Sequence, residues 1–371
     1  MTIDYVALAT EGVRGLRPYQ PGKPIEELRR QYGLNDIIKL ASNENPLGPG
    51  LAAKEAIERA LKNVTRYPDG NGFELKSVLS EQLTVSMNQI TLGNGSNDIL
   101  ELLVRGYACS GDTVVFSQHA FAVYALATQV VGAHPIVVPA SSYGHDLEAM
   151  EHAITETTKV LFVANPNNPT GTWSNKTGLL SLLENVPEHV LVVVDEAYRE
   201  YVDDSEYPDA SKWLDDFPNL VVVRTFSKVY GLAGLRVGYC ISGADIADVL
   251  NRARQPFNVN SIGMSAAAAA LTDAEHIKLS VNLNKSGLKR LTNSFARLGL
   301  PFIPSVGNFV SFDVGPNAAL VNENLLRQGV IVRPIQEYGM KQHLRVTVGL
   351  EQENERFILA LEKALSDVYS S

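Results

Sequence analysis

From about residue 88 the chain alternates short apolar runs with longer stretches whose apolar residues recur at helical spacing. Runs such as TVVFS, KVLFVA and VLVVVD are apolar almost throughout, which is typical of strands buried on both faces of a sheet. Helical stretches such as SNDILELLVRGYA lie between them. This order predicts an α/β fold whose mainly parallel sheet is covered by helices on both faces.

The sequence divides into three parts. Its 371 residues suit two domains of ordinary size. The pattern changes after about residue 273, where a long charged helix precedes the runs NFVSFDV, VIVRPI and LRVTVG and a final helix. We expect residues 1–40 to form an arm with one helix, IEELRRQYG, that packs with the small domain and a partner subunit. Residues 41–272 would form a large domain, and residues 273–371 a small α+β domain.

Composition argues against several classes of protein. The formal net charge is −9 with no basic block to offset it, which disfavours nucleic acid as the main ligand. No apolar run reaches the ~18 residues of a membrane span, and the first residues lack the pattern of a secretory signal. The two cysteines, Cys109 and Cys240, stand in apolar surroundings, so we expect buried free thiols in a reducing cytoplasm.

Polar residues cluster where the predicted strands end. Residues 94–96, residues 165–171, Asp195 and Lys228 each follow an apolar run. In open α/β sheets ligands bind at the carboxyl ends of the strands, so we expect these residues to share one site. Asp195 ends a run of five apolar residues. A carboxylate is costly to bury there unless a cation or a strong donor meets it.

One cofactor would use both charged residues. Pyridoxal phosphate needs an anion beside its protonated ring nitrogen, for which Asp195 is a candidate, although a helix cap or a structural ion pair is the alternative. It also needs a lysine that forms an imine with its aldehyde, for which Lys228 is a candidate. Its phosphate would suit the strand-to-helix turn at residues 95–97, with further donors from Ser227 and Arg236.

The segment ANPNNPTG adds a residue suited to the ring of that cofactor. Asn168 precedes a proline, which biases its backbone toward an extended geometry, and its amide could donate to the phenolic ring oxygen. Tyr198, three residues after Asp195, could reach the same oxygen. Phe121 is aromatic where a ring face would need covering, with core packing as the alternative.

The motifs ANENPLGP, RYPDG, NPNNPTG, VVVDEAY, RTFSKVYGLAGLRVGY and LRVTVG occur in the order and approximate spacing of the fold-type I pyridoxal-phosphate aminotransferases. The chain resembles this family from about residue 16 to its C terminus. Within the family, the combination of NENPLGP, RYPDG and LRVTVG is most similar to the histidinol-phosphate aminotransferases. The resemblance implies a seven-stranded sheet in a large domain that binds pyridoxal phosphate, and no metal.

The resemblance implies a role for each candidate. Lys228 would hold the cofactor and move a proton, Asp195 would pair with the ring nitrogen, and Phe121 would cover the ring. The ring oxygen would be bound by Asn168 and Tyr198, and the phosphate by Ser96, Asn97, Ser227 and Arg236. Tyr67, in RYPDG, would reach the phosphate in the neighbouring subunit, which implies a homodimer with shared sites.

Three further residues would bind the substrate by the same resemblance. Arg345 would hold the carboxylate of the amino acid, and Arg333 and Tyr19 would lie near the phosphate of the substrate. Asn43 and Glu44 are expected to fold over the entrance to the site without a chemical role.

The reaction implied is transfer of an amino group from glutamate to imidazole acetol phosphate, which yields 2-oxoglutarate and L-histidinol phosphate in histidine biosynthesis. An aromatic amino acid aminotransferase is the first alternative. A phosphothreonine decarboxylase is the second, although the tyrosine of DEAY favours transamination. The fold also serves as the sensing half of transcription regulators, but we expect the short arm to leave no room for a DNA-binding domain.

Overall fold

The computed structural model describes residues 3–18 and 22–369. Its strands are β1 (Ile38–Lys39), β2 (Ile90–Gly93), β3 (Thr113–Ser117), β4 (His134–Val138), β5 (Thr158–Ala164), β6 (Leu191–Asp195), β7 (Leu220–Thr225), β8 (Gly238–Ser242), β9 (Phe309–Asp313), β10 (Val330–Ile331), β11 (Arg333–Pro334) and β12 (His343–Thr347). Its α-helices are α1 (Glu11–Arg14), α2 (Ile25–Tyr32), α3 (Leu51–Ala60), α4 (Phe73–Leu83), α5 (Ser96–Tyr107), α6 (Ala122–Val130), α7 (Leu147–His152), α8 (Lys176–Asn185), α9 (Ala244–Ala253), α10 (Ser261–Leu271), α11 (Ala274–Arg297), α12 (Ala318–Arg327) and α13 (Glu351–Tyr369). Across the described residues, every helix is too short or too polar to cross a membrane.

The largest sheet has seven strands in the order β2-β8-β7-β6-β5-β3-β4. All of its strands run in one direction except β8, which is antiparallel to both of its neighbours. The prediction of an α/β fold with a mainly parallel, seven-stranded sheet is therefore confirmed.

Successive side chains of each central strand face opposite sides of this sheet. In β6, Val192 and Val194 belong to one hydrophobic cluster, whereas Leu191 and Val193 belong to another. Helices α3, α4, α8 and α10 pack into the first cluster, and α5, α6 and α9 into the second. Because both faces are covered, all the residues of β6 are buried, which explains the unbroken apolar run in the sequence.

The C-terminal part has its own sheet and its own core. β11, β12 and β9 form an antiparallel sheet of three strands, on which α11, α12 and α13 pack through a third hydrophobic cluster. Phe295 stacks on Phe312 in this cluster, with ring centroids 4.4 Å apart. The long helix and the final helix expected from the sequence are present as α11 and α13. A domain boundary between residues 272 and 273 stays a prediction.

The arm contains the predicted helix, α2, and a short helix, α1, that the sequence pattern did not indicate. Leu28 of α2 is buried in a cluster with Leu326 and Ile331 of the C-terminal part. The short strand β1 pairs in parallel with β10. The end of the arm therefore packs on the C-terminal part, whereas its packing on a partner subunit stays a prediction.

The two cysteines differ in their exposure. Both are free, and Cys240 is buried in β8 as expected. Cys109 is exposed, so the expectation that it is buried was wrong. It lies in the turn after α5, where its backbone N–H donates to Asp112 Oδ2 at 2.9 Å. A turn keeps its residues at the surface even where the neighbouring sequence is apolar.

Gly231 holds the turn after Lys228 against a distant segment. Its φ is +70°, and a Cβ atom at this position would lie 2.1 Å from the Gly48 carbonyl oxygen. Gly33 has a similar φ of +68°, but a Cβ atom there would have no described atom within 4 Å. The two glycines therefore share their backbone conformation and differ in the space around them.

We expect Gly33→Ala to lower the free energy of unfolding by about 1 kcal/mol, because alanine resists a positive φ. Gly231→Ala should lower it by a further ~1–3 kcal/mol, because backbone must also move to relieve the overlap. Chemical denaturation of both variants measures the difference. Equal losses would show that the approach of Gly231 to Gly48 does not constrain the fold.

Candidate active site

A cavity of about 360 Å³ lies at the ends of β5, β6 and β7 and is also lined by residues of β11 and β12. It contains most of the residues predicted to form the site: Ser96, Asn97, Phe121, Asn168, Asp195, Tyr198, Ser227, Lys228, Arg236, Arg333 and Arg345. Tyr67 is not among its lining residues, and Tyr19 lies outside the described residues. The fold brings these segments together, and the role of each residue stays a prediction.

Asp195 is the last residue of β6 and is 6% exposed. Its Oδ2 accepts a hydrogen bond from the Tyr124 hydroxyl at 2.9 Å, whereas its Oδ1 has no hydrogen-bond partner among the described residues. Burial raises the pKa of Asp195 to about 6, although the hydrogen bond from Tyr124 and the charge of Lys228 oppose the rise. Because a buried acceptor without a donor is unfavourable, the site favours a bound cation or donor at Oδ1.

Lys228 follows the end of β7 and lines the cavity. Its Nζ donates to the Ser42 carbonyl oxygen at 3.3 Å and lies 5.4 Å from the centre of the Tyr198 ring. Burial, together with the charge of Arg345, lowers the pKa of Lys228 to about 8, and the opposing charge of Glu44 limits the shift. The neutral amine, which can act as a nucleophile or accept a proton, is therefore available close to neutral pH.

The start of α5 and the turn before β8 place several hydrogen-bond donors together in the cavity, which suits an anion. Ser96 and Asn97 are the first residues of α5, where backbone N–H groups lack partners within the helix. Arg236 Nη1 donates to Ser227 Oγ at 3.3 Å. Gly95 has a φ of +83°, and a Cβ atom there would lie 2.3 Å from Arg236 Nη2. The positive φ favours glycine, which places no Cβ atom between the guanidinium and the start of the helix.

Two buried arginines of the three-stranded sheet also line the cavity. Arg333 and Arg345 are paired in the register of β11 and β12, and each is 5% exposed. Arg345 Nη2 donates to the Ala41 carbonyl oxygen at 2.8 Å, and its Nη1 donates to Asn168 Oδ1. Arg333 forms an ion pair with Glu337. The pair supplies two guanidinium groups that can bind carboxylate or phosphate.

Of two aromatic residues predicted to contact the cofactor, one lines the cavity and the other lies on the surface. Phe121 lines the cavity and packs edge-on against Tyr124, with ring centroids 6.1 Å apart. Tyr67 is 83% exposed and stacks on Phe257, with ring centroids 4.9 Å apart. Tyr67 does not line the cavity of its own chain, and its role in a neighbouring subunit stays a prediction.

Sequence reasoning missed two residues that contact the site. Asn43, expected only to cover the entrance, donates from Nδ2 to the Tyr198 hydroxyl oxygen at 3.0 Å. Tyr124 donates to Asp195 from α6, where its apolar neighbours indicate an ordinary core residue. The motif NENPLGP drew attention to Asn43 without indicating its partner, and no pattern distinguished Tyr124.

In the chain without a bound ligand, we expect Lys228 to titrate near pH 8, well below an ordinary lysine. The amine reacts above this pH and is protected by its proton below it. Lys285 is an internal control, because it is exposed and its ion pair with Asp203 raises its pKa. Labelling with an amine-selective reagent across a pH series, followed by peptide mapping, measures both midpoints. Coincident midpoints would contradict the lowered pKa of Lys228.

Comparisons with known proteins agree with this geometry. The family described as aminotransferase class I and II matches residues 35–361. The chain is 58% identical to histidinol-phosphate aminotransferase 2 of Pseudomonas fluorescens, over 99% of this chain and 100% of the relative. It is 54% identical to histidinol-phosphate aminotransferase 1 of Nitrosococcus oceani, over 98% of each chain.

A solved structure is similar over almost the whole fold. The crystal structure of histidinol-phosphate aminotransferase from Sinorhizobium meliloti in complex with pyridoxal-5'-phosphate has a TM-score of 0.90 and 28% sequence identity, over 97% of this chain and 98% of that chain. The family resemblance predicted from the motifs is confirmed by these matches. The chain therefore belongs to the class I and II aminotransferases.

Proposed function

We propose that the chain transfers an amino group between L-histidinol phosphate and 2-oxoglutarate with pyridoxal phosphate as its cofactor, a step of histidine biosynthesis. The names of the curated relatives at 58% and 54% identity support this substrate. The observation that carries the proposal is one cavity in which the carboxylate of Asp195, the amine of Lys228 and the anion-binding start of α5 are all present.

The lining of the cavity fits pyridoxal phosphate. Asp195 Oδ1 lacks a donor among the described residues, and a protonated ring nitrogen would supply one. Lys228 offers an amine for the aldehyde, and Asn168 and Tyr198 offer polar groups for the ring oxygen. The volume of about 360 Å³ also falls in the range of small-molecule sites, roughly 300–1,000 Å³.

When bound, the cofactor supplies an aldehyde that takes up amino groups and a ring that withdraws electrons from the reacting carbon. Asp195 holds a proton on the ring nitrogen, because a buried carboxylate is stabilised by a cation beside it. Lys228 Nζ moves a proton at the reacting carbon of the substrate, and its lowered pKa leaves the amine able to accept that proton. Phe121 covers the ring and excludes water from one face.

The start of α5 would hold the phosphate of the cofactor. The donors are the free backbone N–H groups of the first helical turn, two hydroxyl groups, an amide and a guanidinium, from Ser96, Asn97, Ser227 and Arg236. The close approach of Gly95 to Arg236 brings the guanidinium and the helix N terminus to the same point.

Arg333 and Arg345 bind the anionic ends of the two substrates in turn. Glutamate carries two carboxylates, whereas histidinol phosphate carries a phosphate and no carboxylate. Guanidinium groups bind either anion in a bidentate manner, so the same pair can serve both substrates. In the chain without substrate, Glu337 balances the charge of Arg333. Tyr19 of the arm is proposed as a further contact to the substrate phosphate.

We also propose that the enzyme is a cytoplasmic homodimer in which Tyr67 completes the neighbouring site. Tyr67 lies with other exposed apolar side chains on one surface segment, namely Leu61, Val64 and Phe73, and it stacks on exposed Phe257. Exposed apolar surface of this kind favours association with another protein. The free thiols of Cys109 and Cys240 suit a reducing compartment.

The substrate is tested by comparing L-histidinol phosphate with L-phenylalanine, which has no phosphate, in single turnovers followed by the absorbance of the bound cofactor. We expect the unmodified chain to react far more efficiently with histidinol phosphate. Arg333→Ala should raise the half-saturating concentration of histidinol phosphate roughly ten- to hundred-fold, the effect of losing one charge-assisted contact. The value for phenylalanine should change much less.

Arg290→Ala is the matched control, because Arg290 is a half-buried arginine of α11 that pairs with Glu351 away from the cavity. It should leave the half-saturating concentrations of both substrates unchanged. If phenylalanine reacts better than histidinol phosphate in the unmodified chain, the enzyme is an aromatic amino acid aminotransferase. If Arg333→Ala raises the half-saturating concentrations of both substrates equally, Arg333 has a structural role and the substrate phosphate binds elsewhere.

A further inference from the structure

Residues 41–43 contact three side chains of the candidate site in succession. The carbonyl oxygens of the first two residues accept hydrogen bonds from Arg345 Nη2 at 2.8 Å and from Lys228 Nζ at 3.3 Å. The third residue, Asn43, contributes its side chain, whose Nδ2 donates to the Tyr198 hydroxyl oxygen at 3.0 Å. Asn43 is therefore the side chain through which this segment contacts the phenol.

The orientation of the Asn43 amide is fixed by its other contacts. Asn43 is 1% exposed, and its Oδ1 accepts a hydrogen bond from Thr347 Oγ1 at 3.2 Å. Its backbone N–H donates to the same hydroxyl oxygen at 2.9 Å, and its carbonyl oxygen accepts from Asn308 Nδ2 at 3.0 Å. Its φ of +55° is one that asparagine tolerates better than most residues. Because Oδ1 is already an acceptor for Thr347, the amide nitrogen must face Tyr198, where it can only donate.

This contact determines where the Tyr198 proton can go. The phenol oxygen receives the Asn43 donor, so its own O–H must point elsewhere. No described residue accepts that proton, and Tyr198 lines the cavity. Burial raises the pKa of Tyr198 to about 12, so the hydroxyl keeps its proton at neutral pH. The hydroxyl is thus a donor without an acceptor among the described residues, and a ligand in the cavity can supply one.

We infer that Asn43 is a positioning residue that directs the Tyr198 hydroxyl proton into the cavity, toward the ring oxygen of the bound cofactor. The inference rests on the proposed function for the identity of the acceptor. A donor to the phenol oxygen also strengthens the phenol as a donor, because hydrogen bonds in a chain polarise one another. Asn43 therefore stabilises the anionic form of the ring oxygen through its hydrogen bond to Tyr198.

Two substitutions of Asn43 separate this role from space filling. Asn43→Gly removes the amide while accepting the positive φ. Asn43→Asp keeps the shape but replaces the donor by an acceptor, so the Tyr198 proton would turn toward residue 43 and away from the cavity. The inference requires Asn43→Asp to raise the pKa of the bound cofactor more than Asn43→Gly does. A structural role requires the reverse order.

The measurement is the pKa of the bound cofactor, read from its visible absorption in a pH titration without substrate. Loss of a donor to the anionic ring oxygen raises this pKa, and we expect a rise of about 0.3–1 unit for Asn43→Gly from one hydrogen bond. Asn43→Asp should raise it further. In a Tyr198→Phe background, Asn43→Gly should cause no further rise, because the intermediary is absent.

Thr347 provides a second pair of variants that does not alter residue 43. Thr347→Val removes the hydroxyl that fixes the amide and should raise the pKa of the cofactor, whereas Thr347→Ser keeps the hydroxyl and should leave it unchanged. An equal rise for Asn43→Gly with and without the Tyr198 hydroxyl would overturn the inference, as would a normal titration of Asn43→Asp. Turnover of histidinol phosphate by the unmodified chain is measured separately. If the chain prefers another substrate, the proposed substrate is wrong, but the expected shifts in the pKa of the cofactor are unaffected.

Discussion

A buried carboxylate at the end of an apolar strand is the constraint on which the site depends. Asp195 is held by the central strand of the sheet, and its surroundings compensate its charge only in part. One oxygen accepts from Tyr124, the other has no described partner, and burial raises its pKa to about 6. Burial disfavours the ionised form of such a group, and a bound cation beside it stabilises that form. The charge of the neighbouring Lys228 opposes the rise, but its own pKa is lowered to about 8.

The parallel sheet explains how residues far apart in sequence reach this carboxylate. β5, β6 and β7 are adjacent and parallel, so the segments that carry Asn168, Asp195 and Lys228 leave the sheet at one edge. The arginines Arg333 and Arg345 come from a different, antiparallel sheet. Residues 41–43 connect the two sets, because their contacts extend to Arg345 of one sheet and to Lys228 beyond the end of the other. The site is thus formed by two sheets and one connecting segment.

The residues of the site that could be predicted from the sequence are those at the ends of strands and within recognisable motifs. Asp195 and Lys228 are conspicuous because a charged residue at the end of an apolar run needs a partner. Asn43 was assigned no chemistry because its partner, Tyr198, lies 155 positions away, and no local pattern reports such a contact. Tyr124 has the spacing of a core residue, and only the fold shows that its hydroxyl meets a carboxylate. Cys109 shows the same limit for burial, since apolar neighbours do not make a turn residue buried.

Reduction of the pyridoxal-phosphate-loaded chain with borohydride, followed by peptide mapping, tests the central feature of this site most directly. The reduction fixes the cofactor to the lysine that holds it. If Asp195 and Lys228 form the two ends of the cofactor site, the loaded chain should be yellow and a single pyridoxyl group should be found on Lys228. A label on another lysine, such as Lys39 beside Glu44, or a label spread over surface lysines, would contradict the site described here.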